Sequence, residues 1–364
     1  MPFRRPGLFY CRVPGLMRIL NIMSGGKAGG AETFFVSLVL ALQAAGHESR
    51  AVIRSHAERA SLLRSGGVVP LELPFRKWLD FTTRTALKRE IADFKPDVVM
   101  TWMSRASASC PTGDFLRLAR LGGYYPIKNF RNCDHLICNT TELVDFVVNS
   151  GWPRERAHYL ANFARIETAP PMARSTFDTP DDVPLLLALG RLHRVKALDV
   201  LLRALVIETR PYLWIAGEGP LKDELQSLAR ELGVADRVRF LGWRNDRGAL
   251  FAAADVCVFP SRVEPFGNVV LDAWGYGRPL VAAASTGPLE LVRDNEDALL
   301  VPVDDAPALA AAITRTIDED GLAAQLVAAG RKRFDAEFTE AACVRQYVTL
   351  FERLIRERRE RRAG

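Results

Sequence analysis

The chain alternates short apolar runs with stretches whose apolar positions recur every three to four residues, and it does so in both halves. Leu185-Leu-Leu-Ala-Leu-Gly190 is continuously apolar and closes on glycine, which predicts a parallel strand buried on both faces. Tyr212 to Ala216, Val238 to Gly242, Asp255 to Ser261 and Leu280 to Ala284 read the same way, with helical spacing between them. In the first half, strands are expected at Met17–Ile22, Ser49–Arg54, Val68–Leu73, Val98–Thr101, Leu136–Asn139 and Ala157–Leu160, with a helix over Thr33–Ala45 stopped by Gly46. Strands that alternate with helices predict two doubly wound, Rossmann-like α/β domains, over residues 17–165 and 185–340. The polar stretch 166–184, with Pro170, Pro171, Pro180 and Pro184, reads as a linker, and 341–364 as one long helix.

Length agrees with two cores: 364 residues, 48% hydrophobic and 25% charged, are the proportions of an ordinary globular chain. No apolar run approaches the roughly 18 to 20 residues that a membrane span requires. Residues 1–16 are too broken by proline and glycine for a signal peptide, and translation is expected to start at Met17. Six cysteines contain no Cys-X-X-Cys pair and five histidines are scattered, so no metal site is expected and a reduced, cytoplasmic location is.

The chemistry concentrates in Glu264-Pro-Phe-Gly-Asn-Val-Val-Leu-Asp272. The segment follows the strand that ends at Pro260-Ser261 and runs into a helix, which Gly277-Arg278-Pro279 stops. Such a junction offers unpaired backbone N–H groups and the positive end of a helix dipole to an anion. Glu264 and Asp272, on either side, are placed to bind hydroxyl groups. A phosphate between two polyhydroxylated groups describes a nucleotide sugar. Alone, the two carboxylates would read as solvated surface charge. Arg191 and Lys196, just beyond the strand that closes on Gly190, change that weighting by supplying cations at a second strand end.

The segment resembles the signature of retaining glycosyltransferase family 4, whose pattern is Glu, one residue, Phe-Gly, four residues, Glu. Glu264, Phe266 and Gly267 match it, and Asp272 departs from it by one methylene. The resemblance implies a GT-B architecture, two Rossmann-like domains facing across a cleft. It also implies transfer of a sugar, with retention, from a nucleotide diphosphate sugar to a hydroxyl of a glycan or glycolipid, in lipopolysaccharide core or surface polysaccharide synthesis. By the same resemblance Arg191 and Lys196 neutralise the donor diphosphate, Glu264 holds the sugar and Asp272 the ribose, and Gly267, Asn268 and Val269 support the phosphates through their backbone. Gly217 and Glu218 of the Gly-Glu-Gly turn, Thr286 and Gly287 of the following loop, and Gly25, Gly26 and Gly30 of the first domain's glycine-rich loop complete the donor set. That loop has neither the Gly-X-Gly-X-X-Gly order of a dinucleotide fingerprint nor the Lys-Ser/Thr of a Walker loop. Trp102, Ser104 and Arg105, beyond the fourth expected strand, are the acceptor-side candidates. Many relatives carry a histidine near this point; no histidine stands between His56 and His135. The resemblance implies no cofactor and no required metal. A non-catalytic nucleotide-sugar-binding protein and a GT-B epimerase stay open beside the transferase.

Charge adds a partner. The net +6 hides a division, with +7 over residues 17–165, −7 over 166–351, and +3 in each of the terminal segments 1–16 and 352–364. A basic first domain suits an anionic, lipid-linked acceptor or the inner leaflet, and nothing in the pattern suggests nucleic acid. Lys77-Trp78 and the arginines between Arg353 and Arg362 are the candidate contacts for a peripheral attachment to the inner membrane face.

Overall fold

A computed structural model describes residues 15–26, 29–76 and 80–363. The expected leader contacts before Gly15, and Lys77-Trp78, lie outside these residues. Thirteen strands are described: β1 (Arg18–Met23), β2 (Glu48–Arg54), β3 (Leu71–Leu73), β4 (Val98–Trp102), β5 (Leu116–Leu121), β6 (His135–Cys138), β7 (Ala157–Tyr159), β8 (Leu185–Leu189), β9 (Tyr212–Ala216), β10 (Val238–Gly242), β11 (Val256–Phe259), β12 (Leu280–Ala283) and β13 (Leu299–Val301). They form a seven-stranded sheet, ordered β3-β2-β1-β4-β5-β6-β7, and a six-stranded sheet, ordered β10-β9-β8-β11-β12-β13. The paired strands run parallel, Ile19 opposite both Ser49 and Val98, and Leu187 opposite both Trp214 and Cys257. Both sheets are doubly wound, as the alternation of strands and helices requires.

The chain divides into two compact units. The first holds the described residues up to Ile137, Phe146–His158 and those from Gln346 on; the second holds Cys138–Asp145 and Tyr159–Arg345. Residues 166–184 thus belong to the second unit and are fixed to it. Arg174 donates to the carbonyls of Val183 (2.7 Å) and Ala253 (2.9 Å) and to the Asp255 carboxylate, and the Trp214 indole donates to Thr179. Prolines there stiffen a strap that packs.

Two strands depart from the pattern reading. β5, Leu-Arg-Leu-Ala-Arg-Leu, is wholly buried although Arg117 and Arg120 interrupt it. Arg120 is accommodated by the faces of Phe34 and Trp102, 4.4 and 4.9 Å from its guanidinium carbon, and by the Tyr347 hydroxyl at 3.0 Å. Cation–π contact and a neutral acceptor let the charge sit inside. β13 is only three residues long, too short for a periodic signal. The long C-terminal helix is Glu340–Ala363 and follows a π-helical turn, Phe334–Phe338.

In the first unit His135 of β6 and His158 of β7 meet, with Nδ1 of one 3.0 Å from Nε2 of the other. One nitrogen donates and the other accepts, so the two rings cannot both be cationic in the pair. Burial first, then the neighbouring His158 and the Arg156, Arg361 and Arg353 cations, push the His135 pKa down to about 3. Burial and Arg353 push His158 down to about 4, against Glu357. A depressed imidazole contributes stability that is complete above its unfolded pKa of about 6.5 and drains as pH falls toward the folded value. Urea midpoints should therefore fall between about pH 7 and about pH 5, and fall less in a His135→Gln/His158→Gln variant. Equal slopes in the two proteins would show that the pair does not govern acid sensitivity.

Candidate functional site

Where the order of a doubly wound sheet reverses, the loops leaving the two strands diverge and open a crevice at their carboxyl ends. In the second unit this happens between β8 and β11. Arg191 and Lys196 leave the first of these strands and Glu264 to Val269 the second, so the fold brings the two sequence-predicted groups together. Lys196 ends a single 3-10 turn, Arg194–Lys196, and Ala197 turns left-handed at φ 49° to start the helix Leu198–Ile207. The Lys196 ammonium is ion-paired with the Glu264 carboxylate and lies 5.3 Å from the centroid of the Phe259 ring. Their side chains are 20% and 16% exposed, so each charge offsets the desolvation of the other. One of the three Lys196 N–H donors serves Glu264, which leaves two for an anion. Arg191 stands exposed one residue past Gly190.

Arg262 holds the two loops in register, and sequence reading missed it. Its N–H donates to the Val195 carbonyl (2.8 Å), its Nη1 to the Arg194 carbonyl (2.7 Å), and its guanidinium grips Asp199 bidentately (2.9 and 2.7 Å) while also pairing with Asp304. Nothing but the adjacency of β8 and β11 brings Asp199 and Arg262 together, since they lie 63 positions apart. The loop after β12 rests on the same assembly: the Gly287 N–H donates to the Glu264 carbonyl at 2.8 Å. A Cβ on Gly287 would stand 2.3 Å from the Phe266 carbonyl oxygen, so only glycine permits this contact. Thr286 opens the short helix Thr286–Leu291 beside it. The hydroxyls of Ser261 and Ser285, on these loops, are buried and have no hydrogen-bond partner among the described residues.

The other predicted residues divide between the core, the loops and the helix starts. Phe266 is buried, 3% exposed, in the apolar core of the unit, and anchors the loop from below instead of facing a ligand. Gly267 forms the N-cap of the helix Asn268–Gly275. Asn268 is exposed, with its Oδ1 accepting from Asn162 Nδ2 at 2.9 Å, and Val269 packs against the core. Gly217, at φ 155°, lets its backbone approach the chain itself, since a Cβ there would lie 1.9 Å from the Gly190 carbonyl oxygen. Glu218 is exposed and pairs with Lys222 at 3.6 Å. Asp272 is buried, which raises its pKa, and its partner is Arg247.

The first unit has its own reversal, between β1 and β4. Ser24-Gly25-Gly26 leaves β1 there, and Gly30 opens the helix Gly30–Ala44. A second arginine unseen in the sequence, Arg59, is buried and donates to the carbonyls of Gly25 (3.1 Å) and Gly26 (3.2 Å). Trp102 is 1% exposed, edge-on to Phe35 at 5.4 Å, and so is a core residue, not an acceptor contact. After it, Met103 takes φ 72°, Ser104 starts the helix Ser104–Ser109, and Arg105 donates to the Phe75 carbonyl at 3.0 Å. Among the described residues no group of three or more His, Cys, Asp or Glu could hold a metal ion.

Comparison with known proteins agrees with this geometry. Residues 183–319 match the family model of glycosyl transferases group 1, and residues 28–167 that of glycosyltransferase family 4. The lipopolysaccharide core biosynthesis glycosyltransferase LpsD of Rhizobium meliloti is 36% identical over 94% of this chain and 100% of its own. LpsE of the same organism is 37% identical over 89% of this chain and 96% of its own. Among solved structures, Anabaena HepE in complex with UDP and glucose has a TM-score of 0.77 at 20% identity, covering 92% of this chain and 99% of that one, and so shares the fold.

If backbone contact fixes these loops, Gly287→Ala and Gly217→Ala should each lose about 1–3 kcal/mol of stability in urea titrations, because neither added methyl group has room. Unaltered midpoints would mean that the loops yield freely.

Proposed function

Because the chain belongs to the family 4 glycosyltransferases of bacterial envelope synthesis, we propose that its second unit binds a nucleotide diphosphate sugar at the β8/β11 reversal and that the sugar is transferred with retention of anomeric configuration. The observation that carries this reading is the Lys196–Glu264 pair, a cation and a carboxylate held together at a crevice by Arg262. Lys196 and Arg191 supply positive charge to the two phosphoryl groups. The Glu264 carboxylate accepts hydrogen bonds from hydroxyls of the sugar. Preorganised charge of this kind acts on the leaving diphosphate, whose negative charge grows as its bond to the anomeric carbon breaks.

Retention follows from attack on the face that the diphosphate is leaving. The acceptor oxygen bonds to the anomeric carbon as the carbon–oxygen bond to the diphosphate breaks, and the acceptor's proton passes to the departing phosphoryl oxygen. A protein base is then dispensable, which suits a chain whose β4 end carries Met103 and Ser104 and no histidine. The names of LpsD and LpsE support a lipopolysaccharide core acceptor, and the complex of HepE supports a nucleoside diphosphate donor. The +7 charge over residues 17–165 supports a cytoplasmic enzyme that works at an anionic membrane surface or on a phosphorylated lipid-linked acceptor. Chemistry of this type runs on the charges of Lys196 and Arg191, without a required metal or cofactor.

Lys196→Met and Glu264→Gln should each lower kcat/KM for donor by about a hundredfold or more with circular dichroism unchanged, as loss of one preorganised charge does. Full activity in either variant would remove the pair from the mechanism. NMR of the glycosidic product should show the donor's anomeric configuration; an inverted product would exclude the front-face route. Flotation with liposomes should depend on anionic lipid, and equal, negligible binding to neutral and anionic vesicles would exclude the membrane surface as a partner.

A further inference from the structure

The second motif carboxylate is shorter than the family pattern by one methylene, and its surroundings show the result. Asp272 lies one turn into the helix Asn268–Gly275, and its side chain is only 8% exposed. A carboxylate this buried presents little surface to a hydroxyl, and its one side-chain partner among the described residues is Arg247. Burial raises its pKa, and the cation that answers it is Arg247, the first residue of the helix Arg247–Ala253. Arg247 Nη1 donates to Asp272 Oδ2 at 3.2 Å, while the Arg247 side chain as a whole is 49% exposed. The guanidinium bridges the buried carboxylate and the surface, and its remaining N–H groups have no partner among the described residues. Its neighbour Arg244 differs, because both its Nε and Nη2 are taken by Asp246.

We propose that Arg247, held by Asp272, is the group that meets the ribose hydroxyls of the donor, and that Asp272 is a positioning residue acting through it. This rests on the reading of the β8/β11 crevice as a nucleotide-sugar site. Charge argues for ribose over phosphate. Lys196 and Arg191, at the reversal itself, already supply the cations for the diphosphate, and Arg247 stands on a separate helix. A guanidinium forks onto neighbouring oxygens, and vicinal hydroxyls present two. The sense of the hydrogen bond is also inverted relative to the family pattern: a carboxylate only accepts, a guanidinium only donates, so the ribose oxygens here are acceptors.

The test is isothermal titration of the full chain with UDP, GDP, ADP and CDP and their 2′- and 3′-deoxy forms. Wild type, Arg247→Met, Asp272→Asn, the double variant, and Asp272→Glu in the Arg247→Met background are compared, with thermal melts as the folding control. Wild type should bind one diphosphate and lose about tenfold to a hundredfold on removal of a ribose hydroxyl, the range for hydrogen bonds to a charged group. Arg247→Met should lose a similar factor and cease to distinguish deoxy forms. The double variant should bind no more weakly than Arg247→Met, and Asp272→Glu in that background should restore part of the discrimination, because the longer carboxylate extends one methylene further. Unchanged affinity and discrimination in Arg247→Met, or losses from Arg247→Met and Asp272→Asn that multiply, would overturn the inference while leaving the site intact. Failure of wild type to bind any of the four diphosphates would overturn the reading of the crevice and this inference with it.

Discussion

The second unit depends on keeping two loops side by side that belong to strands 67 positions apart, counting from Leu189 to Val256. Arg262 meets that constraint almost alone, by joining the backbone of Arg194 and Val195 to the carboxylates of Asp199 and Asp304. Without that tie Lys196 and Glu264 would be two half-buried charges with separate desolvation costs. With it each is the other's counterion, and the pair is fixed before any ligand arrives. The contact between Gly287 and the Glu264 carbonyl adds the loop after β12 to the same rigid body. Three loops thus behave as one piece, built largely from main chain.

Much of this was legible from pattern. Buried parallel strands announce themselves as unbroken apolar runs, and the places where such runs meet glycine or Pro-Ser marked the strand ends that carry Arg191, Lys196 and Glu264. What pattern could not show is pairing across long separations. Arg59, Arg247 and Arg262 look like ordinary loop or helix-end cations in one dimension, and each acquires a function only through a partner that the sheet order supplies. β5 was hidden for a related reason, because a strand can bury arginine when aromatic faces and a hydroxyl surround it. Glycines misled in the opposite sense. Gly217 signals close approach, and the approach is to Gly190 of its own chain. Phe266 reads as part of a binding motif and is the apolar pin that keeps the motif's backbone in place.

The division between fixed and variable parts has a chemical logic. At the phosphate end, the Lys196–Glu264 pair and the Arg262 tie are locked to loop main chain, and side chains have little latitude. At the nucleoside end the contact passes through a half-exposed guanidinium on a separate helix, where a change of side chain leaves the sheet and its loops untouched. Differences in how the ribose is held among chains with this scaffold would accordingly be expected at positions like 247 and 272 before positions like 264 or 287.

The first unit is closed by residues that lie on the far side of the second in the chain. Tyr347 accepts from Arg120, Arg358 reaches Asp134 at 3.1 Å, and Arg362 reaches Asp114. Synthesis therefore passes through every residue of the second unit before it reaches the part of the C-terminal helix, from Gln346 on, that completes the first. The earlier half thus lacks a wall until the residues from Gln346 on are made, a departure from strict N-terminal-first folding. During that interval the guanidinium of Arg120, stacked on Phe34 and Trp102, lacks the tyrosine hydroxyl that finishes its surroundings.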